Sequence, residues 1–338
     1  MITRKDVAKL AGVSSTSVSY FVNKSGYVSE EKEEKIAKAI KALNYRPNLI
    51  AKSLRIKTSN QLVMICNEIR NSFHSELVYR TTKLAYQKGY TMLFCNVIDD
   101  SNYIEKICSY QVNGVFIVTN KLAPEQINKI ANMNIPTVTL TNMEWNNLNE
   151  SISEIKIDVY TAMRKLVRYI IAKGHTKIAY ISNCPAAKYK YIDQRTHGFF
   201  DEIKANHLDS KHINIIYNIT NASMAREVVK ENFSYDEHPT AYLCGNDTAA
   251  IGVLRAMYEL GLKVPDDVVV TGFDNSEISR ISIPSLTTID MFVNQLGEIM
   301  LNVMLDKING KKANNTIIEP QLILRDSTEN NIDASLGR

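Results

Sequence analysis

The chain has 338 residues, 45% of them hydrophobic, too many for one compact core and too apolar for disorder, so two or three folded domains are expected. The net charge is +4, but residues 1–60 hold 12 Lys and Arg against 5 Asp and Glu while the remainder is slightly acidic. A basic head on a near-neutral body suits a polyanionic partner, and no run approaches 18 apolar residues, which excludes a membrane-spanning helix. The five cysteines, Cys66, Cys95, Cys108, Cys184 and Cys244, are odd in number and nowhere spaced like a metal clip. Cys66, Cys95 and Cys244 lie in apolar, strand-like runs where core packing is their expected role, and a reducing compartment fits the set. With no signal-peptide segment at the N-terminus, a cytoplasmic location is expected, without membrane contact, metal or cofactor.

Residues 3–23 predict a helix-turn-helix. Thr3 is a good N-cap, and Asp6 places negative charge in the first turn. Val7, Leu10 and Ala11 fall on one face, and Gly12 permits the turn that follows. Ser14 caps a second helix whose buried stripe is Val18, Phe21 and Val22. Its other face offers Ser15, Thr16 and Tyr20, suited to base edges in a major groove. The alternative is a helical hairpin without nucleic acid, since glycine turns between helices are common. Ser29 caps a third helix, with Glu30 and Glu31 in its first turn. Its stripe, Ile36, Ile40 and Leu43, closes a small core over Val7, Leu10, Val18 and Val22.

Pro47 opens a short basic segment in which Leu49, Ile50 and Leu54 alternate with Lys52, Arg55 and Lys57. A helix of about two turns is unstable alone in water. A second copy lying in a minor groove, with Leu54 wedged into a base step, would cover it; docking on the body as an ordinary linker helix is the alternative.

From residue 61 the period changes. Strand-like runs at 62–66, 91–97, 115–118 and 137–140 alternate with helices at 76–88, 103–110 and 124–133, and 154–157 follows. The rhythm then restarts, with helices at 159–173, 192–204, 222–232 and 248–260 leading to strands at 177–182, 213–217, 241–244 and 268–272. The tail holds strand-like 286–289, a helix at 292–308 and strand-like 317–324, crossing back between lobes. This is an α/β pattern with two similar parallel-sheet subdomains. Ligands of such folds bind at the carboxyl ends of the strands, in the crevice between lobes. No G-x-G-x-x-G after a strand, P-loop, H-E-x-x-H or Gly-x-Ser-x-Gly occurs, so no enzyme is expected.

Specific segments then accumulate in order: Lys5-Asp6-Val7-Ala8-Lys9-Leu10-Ala11-Gly12-Val13-Ser14, Asn44-Tyr45-Arg46-Pro47-Asn48, Gly174-His175, Gly198-Phe199, Asn246-Asp247, Val264-Pro265-Asp266-Asp267-Val268, Gly272-Phe273-Asp274 and Leu286-Thr287-Thr288-Ile289. With them the chain resembles the LacI/GalR family of bacterial transcriptional regulators over about residues 2–328. The resemblance implies an α/β protein with an N-terminal helix-turn-helix headpiece at 1–46 and a hinge helix and linker at 47–58. Behind them it implies a two-lobed, periplasmic-binding-protein-like effector core at 59–328, of parallel sheets flanked by helices. The N-lobe would span about 59–157 and 290–316, the C-lobe about 158–289 and 317–328, and 329–338 would be a tail. The implied partners are double-stranded operator DNA, a second copy in a homodimer, and a small-molecule effector that is a sugar or sugar phosphate. Residues 326–338 lack the leucine-rich helix with which some members form tetramers.

Carried over by position, base contacts fall on Ser15, Thr16 and Tyr20, and phosphate contacts on Thr3, Ser14, Ser19 and Asn23. Tyr45, Asn48, Leu54 and Arg55 complete the implied DNA set. Tyr20 stands where the family usually has an arginine that reads a guanine. A tyrosine cannot make that bidentate contact, so the operator should differ at that step, with Tyr20 stacking or bonding a phosphate. The implied effector set is Asn71, Phe73, His74, Asn142, Trp145, Arg195, Asn246 and Asp274. Amides, an arginine and an aspartate around an aromatic ring suit a polyhydroxyl ligand. Alternatives stay open here: a loop position for His74, surface packing for Trp145, an ion pair within its lobe for Arg195, and a helix cap for Asn246. The aromatic residue many members carry near 219–221 is absent.

The expected function is a dimeric repressor relieved by a small carbohydrate. A co-regulator answering to a phosphorylated carrier protein is the alternative. A solute-binding protein for transport fits less well, given the basic head and the missing signal peptide.

Overall fold

The computed structural model describes residues 2–45, 59–67, 69, 72–98, 100, 102–142, 145, 147–184, 193–312 and 314–329. It divides into two units, Met1–Ser59 and Asn60–Arg338.

The first unit holds three helices, α1 (Arg4–Ala11), α2 (Ser15–Asn23) and α3 (Glu30–Ala42). At the start of α1 the Asp6 carboxylate accepts from both the Thr3 amide and hydroxyl, at 2.8 and 2.7 Å. Gly12 ends the helix with φ 66°, a left-handed conformation that costs glycine nothing. The Ser14 hydroxyl then accepts from the Ser17 amide at 3.1 Å, capping α2. Val7, Ala8, Ala11, Val18, Ile36, Ala39 and Tyr45 form the core.

Two expectations fail here. Leu10 is 56% exposed. With about 100° between successive helical residues, the buried arc runs from Val7 through Ala11 to Ala8, and Leu10 falls outside it on the far side of Val7. Ser29 occupies the N-cap of α3 without a side-chain cap bond; its carbonyl accepts from Lys32 and Glu33 instead.

The second unit is built on two parallel sheets. The first comprises β1 (Gln61–Cys66), β2 (Thr91–Asn96), β3 (Gly114–Val118), β4 (Thr137–Thr141), β5 (Ser153–Ile157) and β11 (Thr316–Ile318), in the order β11-β5-β4-β3-β1-β2. The second comprises β6 (Ile178–Ile181), β7 (Ile213–Ile216), β8 (Ala241–Cys244) and β9 (Val269–Thr271), in the order β7-β6-β8-β9. Strand alternation explains how helices cover both faces of the first sheet. Leu62, Met64 and Cys66 point into one cluster and Val63 and Ile65 into another.

The crossover helices of the first lobe are α4 (Ser72–Gln87), α5 (Tyr103–Cys108) and α6 (Pro124–Asn132). Those of the second are α7 (Val159–Ala172), α8 (Gln194–Ala205), α9 (Ala222–Glu231) and α10 (Asp247–Glu259). Short α11 (Glu277–Ile281) and a single 3-10 turn at Ser210–His212 lie outside the sequence expectation. After β10 (Thr288–Asp290), helix α12 (Val293–Ile308) packs on α4.

The tail departs from the single strand expected at 317–324. Its first half, β11, extends the first sheet beside β5, and its second half, β12 (Gln321–Ile323), pairs antiparallel with β10. Pro320 explains the break, because it has no amide to donate to a continuing ladder.

Candidate effector cleft and nucleic-acid interface

In the head, Ser15, Thr16 and Tyr20 are all exposed on α2, opposite buried Val18. Ser14 and Thr3 are exposed at their caps. Ser19 and Asn23 are tied to each other, the Asn23 amide donating to the Ser19 carbonyl at 2.9 Å and its hydroxyl at 3.2 Å. Arg4 donates to the same hydroxyl at 3.4 Å.

Tyr20 is held from behind. Lys24 adopts a left-handed φ of 49°, and the Ser25 amide bonds back to the Tyr20 carbonyl at 3.2 Å. This reversal lays Gly26 against the Tyr20 ring, so closely that a Cβ there would stand 2.8 Å from its Cγ and Cδ2. Tyr45 departs from the expectation: it is buried in the head core, so its ring packs on other side chains rather than facing outward. Asn48, Leu54, Arg55 and the rest of the expected hinge lie outside the described residues.

In the second unit, a cavity of about 260 Å³ opens where the parallel strands end. Asn67 follows β1, Thr119 and Asn120 follow β3, and Thr141 and Asn142 close β4. From the other lobe, Asn183 and Cys184 follow β6, Asn246 follows β8 and Asp274 follows β9. Phe73 and His74 enter from the first turn of α4, and Arg195 from the first turn of α8. The structure thus gathers Phe73, His74, Asn142, Arg195, Asn246 and Asp274, as expected from the sequence. An adjoining chamber of about 380 Å³ shares Thr141 and Asn142 and opens between Lys156, Tyr160 and Gln194.

Trp145 is the exception. It is buried among Val63, Ile65, Ile117 and Ile127 on the outer face of the first sheet, and it packs there rather than stacking on a ligand. Asn71 lies outside the described residues.

Arg195 makes the ion pair that was open as its alternative. Its Nη2 donates to Asp193 Oδ2 at 2.6 Å and its Nε to Asp193 Oδ1 at 3.0 Å, while Nη1 donates to the Gly245 carbonyl at 2.5 Å. Nη2 also donates to Asn183 Oδ1 at 3.2 Å. Asp193 is the N-cap of α8, and sequence reasoning missed it. It also accepts from Cys184 Sγ at 3.1 Å and, across the cleft, from Asn142 Nδ2 at 3.4 Å. That last bond joins the two lobes.

Asn246 caps α10, accepting from the Ala249 amide at 2.8 Å, and lines the cavity as well. Asp274 is held at φ 109°, a conformation that costs a non-glycine residue on the order of 1–3 kcal/mol and tends to occur at functional positions. Burial pushes its carboxyl well above the usual range, with Asp247 behind adding to the effect and Arg195 opposing it. Asp247 is raised to about 6 by burial, against hydrogen bonds from Thr288 and Ser276. Burial, and secondarily the Arg195 charge, pushes His74 down to about 4, so its ring is neutral at pH 7.

Residues 3–48 match the bacterial regulatory proteins of the lacI family, and residues 167–328 match the periplasmic binding protein-like domain. An HTH-type transcriptional repressor PurR from Histophilus somni is 32% identical over 336 residues, covering 97% of this chain and 99% of the relative. The chain belongs to the LacI family. Another PurR repressor of this LacI type, from Vibrio vulnificus, is 31% identical over 338 residues, with 97% of this chain and 99% of the relative covered. A crystal structure of the Lac repressor dimer bound to operator and the anti-inducer ONPF superposes with a TM-score of 0.80 at 26% identity, covering 97% of this chain and 99% of that one. The transcriptional regulator CelR in its cellobiose complex, at 22% identity and a TM-score of 0.65, covers 97% of this chain and 100% of that one and shares the fold. The protein is accordingly a non-enzymatic transcriptional repressor of the LacI type with a DNA-binding head. Among the described residues no helix is long and apolar enough to cross a membrane.

Proposed function

We propose that this repressor holds its operator as a homodimer and that a small carbohydrate-type molecule in the interlobe cleft sets the strength of that hold. The observation that carries this reading is the cavity lining. Amides of Asn67, Asn120, Asn142, Asn183 and Asn246 and hydroxyls of Thr119 and Thr141 surround one space beside Phe73. Such a set supplies donors and acceptors in pairs, as adjacent hydroxyl groups require, and an aromatic ring for the apolar side of the ligand.

In this mechanism Phe73, His74, Asn142, Arg195, Asn246 and Asp274 contact the effector. Ser15, Thr16 and Tyr20 read base edges, and Thr3, Ser14, Ser19 and Asn23 bind phosphates. Residues 1–46 act as the head, 47–58 as the hinge with Leu54 as its wedge, and 59–328 as the sensor. An effector in the cleft competes for the Asn142–Asp193 bond between the lobes and so biases their relation, and the hinge transmits the bias. The formed cleft, with amides and threonines set among apolar residues, favours a small effector over a phosphorylated carrier protein. Dimerisation is supported by the exposed Ile281 and Ile283, 70% and 95% accessible, beside α11.

The test is a gel shift of the full chain on DNA upstream of its own gene, with and without a panel of sugars. A sugar that releases a specific complex supports the reading. Specific binding that survives deletion of residues 1–58, or release by none of the sugars, overturns it.

A further inference from the structure

The one buried cation among the described cavity residues is already neutralised. Each nitrogen of the Arg195 guanidinium is bonded inside its own lobe, to Asp193, Asn183 or the Gly245 carbonyl, and the side chain lies over the Phe273 ring at 5.4 Å. Asp193, 5% exposed, is itself held by the Arg195 amide at 2.7 Å, by Cys184 and by Asn142. Among the described residues lining this cavity the remaining charge-bearing groups offer an anion little, and Lys156 lines the adjoining chamber instead. Asp274 is a carboxyl with Asp247 behind it, His74 is neutral at pH 7, and Lys121 stands at the exposed rim.

We infer that Asp193 is a charge-selecting residue: by neutralising Arg195 it leaves a cleft that takes uncharged polyhydroxyl effectors and rejects their phosphate or carboxylate derivatives. This rests on reading the cleft as a carbohydrate site. A phosphate entering the cavity would lose its water and meet a guanidinium whose charge Asp193 already balances, so it could gain a full counter-charge there only by displacing that carboxylate. A neutral hydroxyl needs no counter-charge and can bond the amides, the threonines and the remaining Arg195 Nη1 proton with the ion pair intact.

The experiment is isothermal titration of the full-length protein with neutral mono- and disaccharides, with the 6-phosphate of each, and with inorganic phosphate as a sugar-free probe. The phosphate ester of any saccharide that binds should bind at least tenfold more weakly than the parent, by the order of one lost charge-assisted hydrogen bond. Asp193→Asn keeps an oxygen that can cap α8 but removes the charge. It should narrow the gap by roughly ten- to a hundredfold and create phosphate binding that the parent chain lacks.

Equal or tighter binding of the ester, or of inorganic phosphate, to the unaltered protein overturns the inference while leaving the carbohydrate reading standing. Failure of every saccharide overturns the carbohydrate reading, and the inorganic phosphate titration still decides the role of Asp193. The comparison on the unaltered chain needs no variant, so it stands even if Asp193→Asn does not fold.

Discussion

Gly26→Ala isolates the way Tyr20 is held. The new Cβ would stand 2.8 Å from Cγ and Cδ2 and 3.1 Å from Cδ1 of the Tyr20 ring, well inside the ~3.5–4.0 Å at which carbon atoms attract. These are atoms at the root of the ring, so Tyr20 cannot relieve the clash by moving its hydroxyl end alone. Gly26 does not have a positive φ, so alanine fits the backbone, and its effect on the unfolded chain is stabilising by ~0.4–1 kcal/mol. Against this, pushing Tyr20 off its rotamer costs ~0.5–1.5 kcal/mol. The two nearly cancel, so the melting temperature should barely move. Displacing the ring from one base step should cost ~1–3 kcal/mol of discrimination there, roughly five- to 150-fold. The assay is competition of the intact operator against operators altered one step at a time. The selectivity should collapse at one step while non-specific affinity and its salt dependence are unchanged. A uniform loss across all sequences, or no loss, would refute the argument that Gly26 orients Tyr20 for reading.

Arg195→Ala should abolish the effector response. It should also lower stability by about 3–5 kcal/mol because Asp193 is left buried and unpaired; operator binding measured well below the melting temperature should persist, and a normally inducible variant would remove Arg195 from the site. Trp145→Ala should destabilise by about 3–5 kcal/mol, as for a buried aromatic, yet leave effector affinity unchanged in titration; selective loss of affinity would return Trp145 to the ligand. Asp274→Asn bears on pH. The folded carboxyl is raised above its ordinary value near 3.8, so the native state binds more protons than the unfolded chain and loses stability as pH rises through that window. The variant's melting temperature should therefore gain on the parent's from pH 4 to pH 7, and a gap that stays constant with pH would contradict the buried, raised carboxyl. Leu54→Ala should weaken specific more than non-specific DNA binding, since a wedge helps only at a deformable step; equal losses would deny it that role.

Most of the architecture was legible because its signals are periodic. The alternation of Leu62, Met64 and Cys66 with Val63 and Ile65 marks β1 as buried on both faces, and the same rhythm places every strand whose end builds the cleft. Asn246 and Asp274 follow such strands, but it is the positions implied by the LacI/GalR resemblance that single out these two and Arg195. Asn67, Thr119, Asn120, Asn183 and Cys184 carry the same positional signal, each within three residues of a strand's end, and that rule alone would have found them.

Other features depend on tertiary packing. Leu10 and Ala8 flank the same helical stripe, and only the angle at which α3 crosses α1 decides which is covered. Trp145 follows β4 closely enough to reach the cleft in sequence terms, but its bulk fills the opposite face of the sheet. Tyr45 follows α3 beside basic residues, yet its ring is buried in the small core of the head. The helix expected at 192–204 hides Asp193 inside its first turn; the structure starts α8 two residues later and makes Asp193 its N-cap, and the pairing with Arg195 depends on side-chain geometry there.

If cleft and head share one two-state body, as proposed, linkage gives a direct test. The affinity of a bound sugar should be measured by titration twice, on the free full-length protein and on the protein saturated with its operator. If the sugar relieves repression through the body, operator should weaken sugar binding by the same factor by which sugar weakens operator binding, within about 5- to 150-fold. Equal sugar affinity in the two states, with the operator still bound, would show that the cleft does not control the head.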